Sequence, residues 1–400
     1  MHPIAEKLAS LIGQYGWEEN FRAAIENAQA AGIAGFPQIP TLEDFLRQTS
    51  GLVTYTPPAG ADVRNAFAAH LHYYFILHQE PLRRLQNPIE PGQSRKELTP
   101  LSAWMVEFAQ ARGSYMDTFE SAKGIEAFRA HPSLAWDEYM PPPSGYLTFN
   151  QFFARHVRPG ARPIEALDDD TVLASPADST YLGTWPINDK SELQLDDDRL
   201  DIKGLRWSIH ELLQGSEYAD RFKGGIFTHS FLKSTDYHRW HTPVRGKVVE
   251  ARVIQGQVYA EAVALPQIVD GGQVHILDLL DEVGYQFLQT RGIVMIDSPA
   301  GLVACLPVGM GMVSSVVITA DVGTTLHKGE ELGYFQFGGS DFIMVFERNS
   351  HVELICQPNL HYKQGSRIGN IHPSGGSGSK WTGSNVKGIK QLVKRMQAIK

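Results

Sequence analysis

The chain has 400 residues, 42% of them hydrophobic and 20% charged, which is enough apolar material for a sizeable core and for two or three domains. Its formal net charge of -8 argues against nucleic acid as a partner. Two cysteines, Cys305 and Cys356, without CxxC spacing, argue against a disulfide framework or a cysteine zinc site and point to a reducing compartment. The opening stretch carries charge early and lacks the apolar core of a signal peptide. No run approaches the ~20 apolar residues of a spanning helix. A soluble cytoplasmic protein is the expectation.

Residues 1 to about 135 read as helical. Apolar residues recur at helical spacing at Ile4, Leu8, Leu11 and Ile12, then at Phe21, Ile25 and Ala28. Thr41 caps a helix with acids in its first turn, residues 61–79 form another candidate, and Thr99-Pro100 opens a further one. The run Met140-Pro-Pro-Pro-Ser-Gly145 cannot continue a helix, because its prolines remove donors and fix φ. A domain boundary is placed there, so that 1–138 is a helical N-terminal domain and 146–373 a second domain.

A short helix from Phe149 to His156, capped by Thr148, opens the second domain. Beyond 170 the pattern changes to short β-rich runs broken by Gly and Pro: 247–254, 292–296, 313–318 and 342–346. Ser208 to Gly215 reads as a helix, with Ser208 and Glu211 at capping-box spacing. Residues 374–400 read as a Gly/Ser linker and a basic amphipathic helix over 386–400, which docks on its own protein or touches anionic lipid. Aspartate runs at 168–170 and 196–198 lack the spacing of an EF-hand loop and read as solvated loops.

Three segments carry chemistry-bearing residues: Ser175-Pro-Ala-Asp178-Ser179; Asp236-Tyr-His238-Arg-Trp-His241-Thr-Pro; and Lys328-Gly-Glu-Glu-Leu-Gly-Tyr-Phe335 leading to Gly338-Gly339-Ser340. Each alone has a plain structural explanation. Asp178 suits a turn, His238 and His241 share a spacing common on any helix, and Gly-Gly-Ser is an ordinary turn before a strand. No metal site is expected. Taken together, an Asp, a His and a Ser on separate segments are the parts of a nucleophilic relay, which is defined by geometry and role and not by chain order. The glycines before Ser340 suit an exposed or strained backbone that a hydroxyl could attack.

From Phe149 to about Glu347 the chain resembles the phosphatidylserine decarboxylase family. The matching pieces are Thr148-Phe-Asn-Gln-Phe-Phe-Ala-Arg155, Arg158-Pro-Gly-Ala-Arg-Pro163, Ser175-Pro-Ala-Asp178, Ile202-Lys-Gly-Leu-Arg-Trp-Ser208 with Glu211-Leu-Leu213, the His238/His241 segment, and the run into Gly339-Ser340. The helical extension is similar to that of a soluble branch of the family, the tryptophan decarboxylases. The fold this implies is α+β: a helical N-terminal domain followed by a β-rich decarboxylase domain with a carrier-like (biotinyl/lipoyl-like) sheet.

The resemblance implies a zymogen. Ser340 Oγ would attack the carbonyl of Gly339, the chain would cut itself between 339 and 340, and Ser340 would become a covalent pyruvoyl group. That group would serve as the electron sink of a decarboxylase. His238 would take the serine proton, Asp178 would orient it, and His241 would help or contact the substrate. The two fragments would stay associated. Two departures from the family pattern stand out: Ser340 is followed by Asp341 where the family has Thr, and Asp178 by Ser179 where it has Gly.

The leading expectation for the substrate is a free L-amino acid, aromatic and such as tryptophan, converted to its amine. The other reading is phosphatidylserine decarboxylation at a membrane surface, with lipid contact only through 386–400. A carrier module without scission is the least favoured, because no Met-Lys hairpin is present.

Overall fold

The computed structural model describes residues 1–56, 68–129, 131–194, 205–269, 272–279, 284–311, 315–337 and 340–372. The readings of 374–400 and of the 196–198 run fall outside these residues.

The chain begins with helices α1 (Pro3–Tyr15), α2 (Glu18–Ala30), α3 (Leu42–Val53), α4 (Ala68–Leu77), α5 (Glu80–Arg83), α6 (Pro100–Met116) and α7 (Ile125–Arg129). The expected caps are present. Thr41 accepts from Asp44 N and Thr99 from Ser102 N, each supplying an acceptor to a first-turn donor for about 1 kcal/mol. Helix α8 (Phe149–Phe153) follows the proline run and is capped by Thr148, which accepts from Gln151 N.

Ser208 caps α9, which is only Ile209–Leu212. The reciprocal half of the expected capping box is not made. Glu211 instead accepts from Gly92 N at 2.8 Å and Ser94 N at 3.1 Å, joining this turn to the loop before α6.

The β-rich part centres on an eight-stranded antiparallel sheet ordered β11-β5-β8-β9-β13-β3-β2-β15. These strands are β2 (Ser179–Pro186), β3 (Ile226–Leu232), β5 (Gly246–Ile254), β8 (Arg291–Ser298), β9 (Gly301–Gly309), β11 (Thr325–Leu326), β13 (Ser340–Phe346) and β15 (His361–Tyr362). A three-stranded sheet joins β4 (Arg239–His241), β12 (Glu331–Phe335) and β10 (Val316–Ile318). Another joins β1 (Val172–Ala174), β16 (Arg367–Asn370) and β14 (Glu353–Leu354). A hairpin of β6 (Ala262–Val269) and β7 (Gly272–Leu279) forms its own two-stranded sheet, tied to the N-terminal part where Ala34 N donates to His275 O at 2.8 Å. The chain is thus mixed helix and sheet, with helices first and strands later.

Strand β13 is buried along its whole length, as an apolar run in the middle of a sheet requires. Side chains alternate between faces. Phe342, Met344 and Phe346 enter a core shared with Phe149, Phe153, Trp240 and the N-terminal helices, whereas Ile343 and Val345 enter a second core with Trp207, Phe227 and Phe287. Ser340 therefore belongs to the first face and Asp341 to the second. The apolar contact between the helices and this face crosses the boundary drawn at the proline run.

Candidate active site

Ser340 is the first residue of β13 and lies opposite Leu232 of β3 and Gly309 of β9. Its position on a central strand, not in a preceding turn, was not legible from Gly-Gly-Ser. It is fully buried, and its hydroxyl has no hydrogen-bond partner among the described residues. Gly339 falls outside those residues.

The strand β12 explains how the histidines reach this region. It pairs antiparallel with β4, so Tyr334 faces Arg239 and Glu331 faces His241. Phe335 N donates to His238 O at 2.9 Å, extending the pairing by one residue. From Phe335 the chain runs in five residues to Ser340. Arg239 locks the pair with both Nη1 contacts to Glu331 at 2.8 Å, and its Nε donates to Ala154 O at the end of α8. Trp240 packs on Phe342, with ring centroids 6.2 Å apart, placing β4 over Ser340's face of the sheet.

His238 is fully buried, and among the described residues neither ring nitrogen makes a hydrogen bond of good geometry, the Asp236 backbone being the group that acts on it as a weak partner. Its ring stacks on Phe153 at 3.9 Å. Burial, and then the nearby positive charge of Arg155, push its pKa well below the ordinary histidine value. The imidazole is therefore neutral at pH 7 and able to accept a proton. His241 differs. Its Nδ1 donates to Gly329 O at 2.9 Å, which leaves Nε2 to accept from the Tyr237 hydroxyl at 3.1 Å. Burial also lowers its pKa.

Asp178 does not hold His238, as the relay reading expected. Its carboxylate is gripped by Arg162, Nε to Oδ1 at 2.8 Å and Nη2 to Oδ2 at 2.5 Å, and Oδ1 also accepts from Gln364 N at 2.8 Å. Its negative charge acts on His241. The backbone explains the proximity: His241 N donates to Pro176 O at 2.8 Å and Ala174 N to Pro243 O at 3.1 Å. Among the described residues no hydrogen bond joins Asp178 to His238, or His238 to Ser340. The structure thus brings Asp178 to His241, and His238 to the aromatic wall below Ser340's strand.

Several residues with evident site roles were not singled out by sequence reasoning. Asn150 Oδ1 accepts from Phe337 N at 3.1 Å, while its Nδ2 donates to Asp117 Oδ1 at 3.0 Å, tying the approach to Ser340 to helix α6's end. Phe153 supplies the His238 stack. Arg155 donates to the carbonyls of Thr235 at 2.7 Å and Asp236 at 2.6 Å, bracing the turn before His238. Arg162 grips Asp178. Their signal was present, since all four residues lie in the matched segments 148–155 and 158–163. Trp185 and Trp207, by contrast, pack in the second core with Phe227 and Phe287, away from Phe337 and Trp240.

Among the described residues no cluster of His, Cys, Asp and Glu is arranged to hold a metal ion. Within the 168–170 run, Asp170 pairs with Arg245 and Asp169 accepts from Thr171. No helix among the described residues is long and apolar enough to cross a membrane.

The phosphatidylserine decarboxylase family model matches residues 149–370, more than half of the chain. The chain belongs to the phosphatidylserine decarboxylase family. It is 36% identical over 239 residues to phosphatidylserine decarboxylase proenzyme 3 of Schizosaccharomyces pombe, covering 60% of this chain and 23% of that protein. It is 32% identical over 240 residues to the phosphatidylserine decarboxylase proenzyme of Fusobacterium nucleatum, covering 60% of this chain and 73% of that one. Decarboxylase iboD of Amanita muscaria is 35% identical over 214 residues, covering 50% and 59%. The match thus spans under a quarter of the yeast relative.

Family members are carboxy-lyases that use a covalent pyruvoyl group derived from a serine after self-cleavage. The comparisons overturn the leading substrate expectation. The Schizosaccharomyces pombe and Fusobacterium nucleatum relatives and the family model are named for phosphatidylserine, a lipid, so a free aromatic amino acid as substrate and small-molecule partner is not supported. That expectation leaned on the polar helical extension, which lies outside the matched segment, on the lack of an apolar anchor in the sequence, and on the departures at 337–341.

Proposed function

We propose that this chain is a self-processing, pyruvoyl-dependent phosphatidylserine decarboxylase, forming phosphatidylethanolamine and carbon dioxide at a membrane surface. The observation that carries the reading is Ser340 itself: a buried serine with an unpartnered hydroxyl, directly after Gly339, at the start of the central strand in a chain of this family. A buried hydroxyl without a hydrogen-bond partner among the described residues suits a group that reacts, and so fits a residue converted to pyruvoyl.

In this reading Ser340 Oγ attacks the carbonyl carbon of Gly339. The peptide C–N bond breaks and an ester forms. Elimination releases residues 1–339 as a chain ending in a carboxylate, and hydrolysis at residue 340 releases ammonia. A serine hydroxyl is a weak nucleophile without a base, and His238 is the base, kept neutral by burial. Asp178 and His241 form a second polar cluster whose charge Arg162 balances. When bound, the pyruvoyl group supplies the electron sink that lets the carboxylate leave. His238 then returns a proton to the α-carbon.

The same proposal divides the chain into a helical part over 1–138 and a catalytic part over 146–373, and gives the latter a carrier-like sheet. A reducing, cytoplasmic setting is part of it, supported by free thiols at Cys305 and Cys356. Carbon dioxide release from phosphatidylserine vesicles tests the substrate. No release from vesicles by a fully cut protein would reject phosphatidylserine.

A further inference from the structure

Helix α6 holds a buried arginine that the chemistry above does not use. Arg112 is 1% exposed. Its Nη1 donates to the carbonyls of Leu52, which also accepts from Tyr55 N at 3.3 Å, and Val53, both at the C-terminal end of α3. Its Nε and Nη2 have no hydrogen-bond partner, and no acidic side chain pairs with it among the described residues. The titratable side chains that couple to it are the neutral phenols of Tyr55, Tyr115 and Tyr74 and the buried imidazole of His70. Burial lowers its pKa to about 9, which leaves it charged at neutral pH.

Nε and Nη2 share one edge of the guanidinium, the edge that binds carboxylate or phosphate in a two-point fork. Arg162 uses that same pair of nitrogens to hold Asp178. In Arg112 the edge has no oxyanion. The location is specific as well. The Arg112 guanidinium lies 5.1 Å from the Phe337 ring centroid, Phe337 is 5.6 Å from Phe153, and Phe153 stacks on His238 at 3.9 Å. An unpaired buried cation therefore stands behind the residue three positions before Ser340. Tyr55 and Tyr115, which couple to Arg112, are only partly buried.

We propose that Arg112 binds an oxyanion of the substrate headgroup, phosphodiester or carboxylate, through its free Nε/Nη2 edge. The N-terminal helices, which lie outside the matched family segment, then supply a specificity residue to the site. A guanidinium serves better here than an ammonium, because one edge can hold two oxygens while Nη1 keeps its bond to α3.

The inference rests on the phosphatidylserine reading, and the test separates the two. Full-length R112Q and R112K are compared with the unsubstituted chain for self-cleavage, for KM and kcat on phosphatidylserine in detergent micelles, and for inhibition by two probes. Both probes carry an amine; of the two oxyanions, glycerophosphoethanolamine has the phosphodiester alone and O-methyl-L-serine the carboxylate alone. The expected result is a cut R112Q with KM raised about tenfold or more, kcat little changed, and R112K between, since lysine keeps the charge but loses the fork. Loss of inhibition by glycerophosphoethanolamine assigns the phosphodiester; loss by O-methyl-L-serine assigns the carboxylate. Unchanged KM and unchanged inhibition by both probes in a cut variant would overturn the proposal. If R112Q fails to fold for want of the α3 contact, R112K decides by the same constants. If the unsubstituted chain is uncut, the functional reading fails, and calorimetric binding of the two probes to it and to R112K still decides the site.

Discussion

Asp178 and Arg162 form a two-point ion pair in which both partners are almost wholly buried, with contacts of 2.8 and 2.5 Å. Arg162 also donates to Glu138 at 2.7 Å, so one guanidinium joins the Ser175–Asp178 turn to the segment before α8. The pair fixes the Ser175–Asp178 turn, and the Asp178 charge is one of several that act on His241. Removing Arg162 would leave Asp178 charged and uncompensated.

Arg162→Met is accordingly expected to cost about 3–5 kcal/mol, the range for breaking a buried pair from one side. Urea denaturation of the uncut Ser340→Ala background measures it without interference from processing. A loss below about 1 kcal/mol, the range of an exposed pair, would mean that the pair is solvated.

The acid limb of self-cleavage should lie below the ordinary histidine range. His238 has a folded pKa well below the usual 6.5, so it remains an unprotonated base as the pH falls past that value. The same shift affects stability. Between 6.5 and the depressed value the unfolded chain binds a proton that the folded chain refuses, so His238 makes stability fall as the pH drops through that window. His361 works the other way. Its hydrogen bond to Asp236 raises its pKa, so its contribution is full below 6.5 and is lost as pH rises through the folded value. His238→Asn should remove part of the acid-side loss, measured by denaturation at several pH values. An unchanged slope would reassign the loss to other groups.

Asp341 points away from Ser340 into the second face. There it accepts from the Tyr285 hydroxyl and lies 3.2 Å from His229 Nε2. It is fully buried. Asp341→Ala should cost about 1–3 kcal/mol by removing the buried carboxylate that accepts from Tyr285 and faces His229, and Asp341→Asn, which still offers an acceptor, should cost less. Thermal melting of both variants checks the order. Equal melting temperatures would show that the carboxylate is not needed as an acceptor.

Gly333 on β12 leaves room for the histidine strand. A Cβ there would meet Val317 O at 2.2 Å and the Trp240 ring at 2.4 Å. Gly333→Ala should therefore push Trp240 and β4 off the sheet, lowering stability by about 1–3 kcal/mol and slowing self-cleavage more than tenfold. A time course of cleavage on a gel, beside a melting curve, separates the two effects. Normal cleavage would show that β4 need not be held this closely.

The sequence made several strands and helix caps legible because their signals are local. Phe342–Phe346 is an unbroken apolar run, and it is a central strand. Thr41, Thr99 and Thr148 cap helices because a hydroxyl before a helical pattern acts within three residues. The misses are long-range. Glu211 has capping-box spacing, yet it serves Gly92 and Ser94, more than a hundred positions away. Asp178 looked free to orient His238, because nothing local shows that Arg162 occupies both of its oxygens. Asn150 and Phe153 belong to a motif whose purpose emerges only when Phe337 and His238 come to lie beside it. The substrate was misread for a related reason: the helical extension carries no sharp motif, and the matched segment is what its relatives share.

The most direct test of the account is the intact mass of the purified chain beside its Ser340→Ala variant. The account predicts two fragments, 1–339 and a second starting at residue 340 with a pyruvoyl cap, and a single full-length chain without decarboxylase activity for the variant. A full-length unsubstituted chain that decarboxylates phosphatidylserine, or a Ser340→Ala variant that keeps full activity, would contradict it.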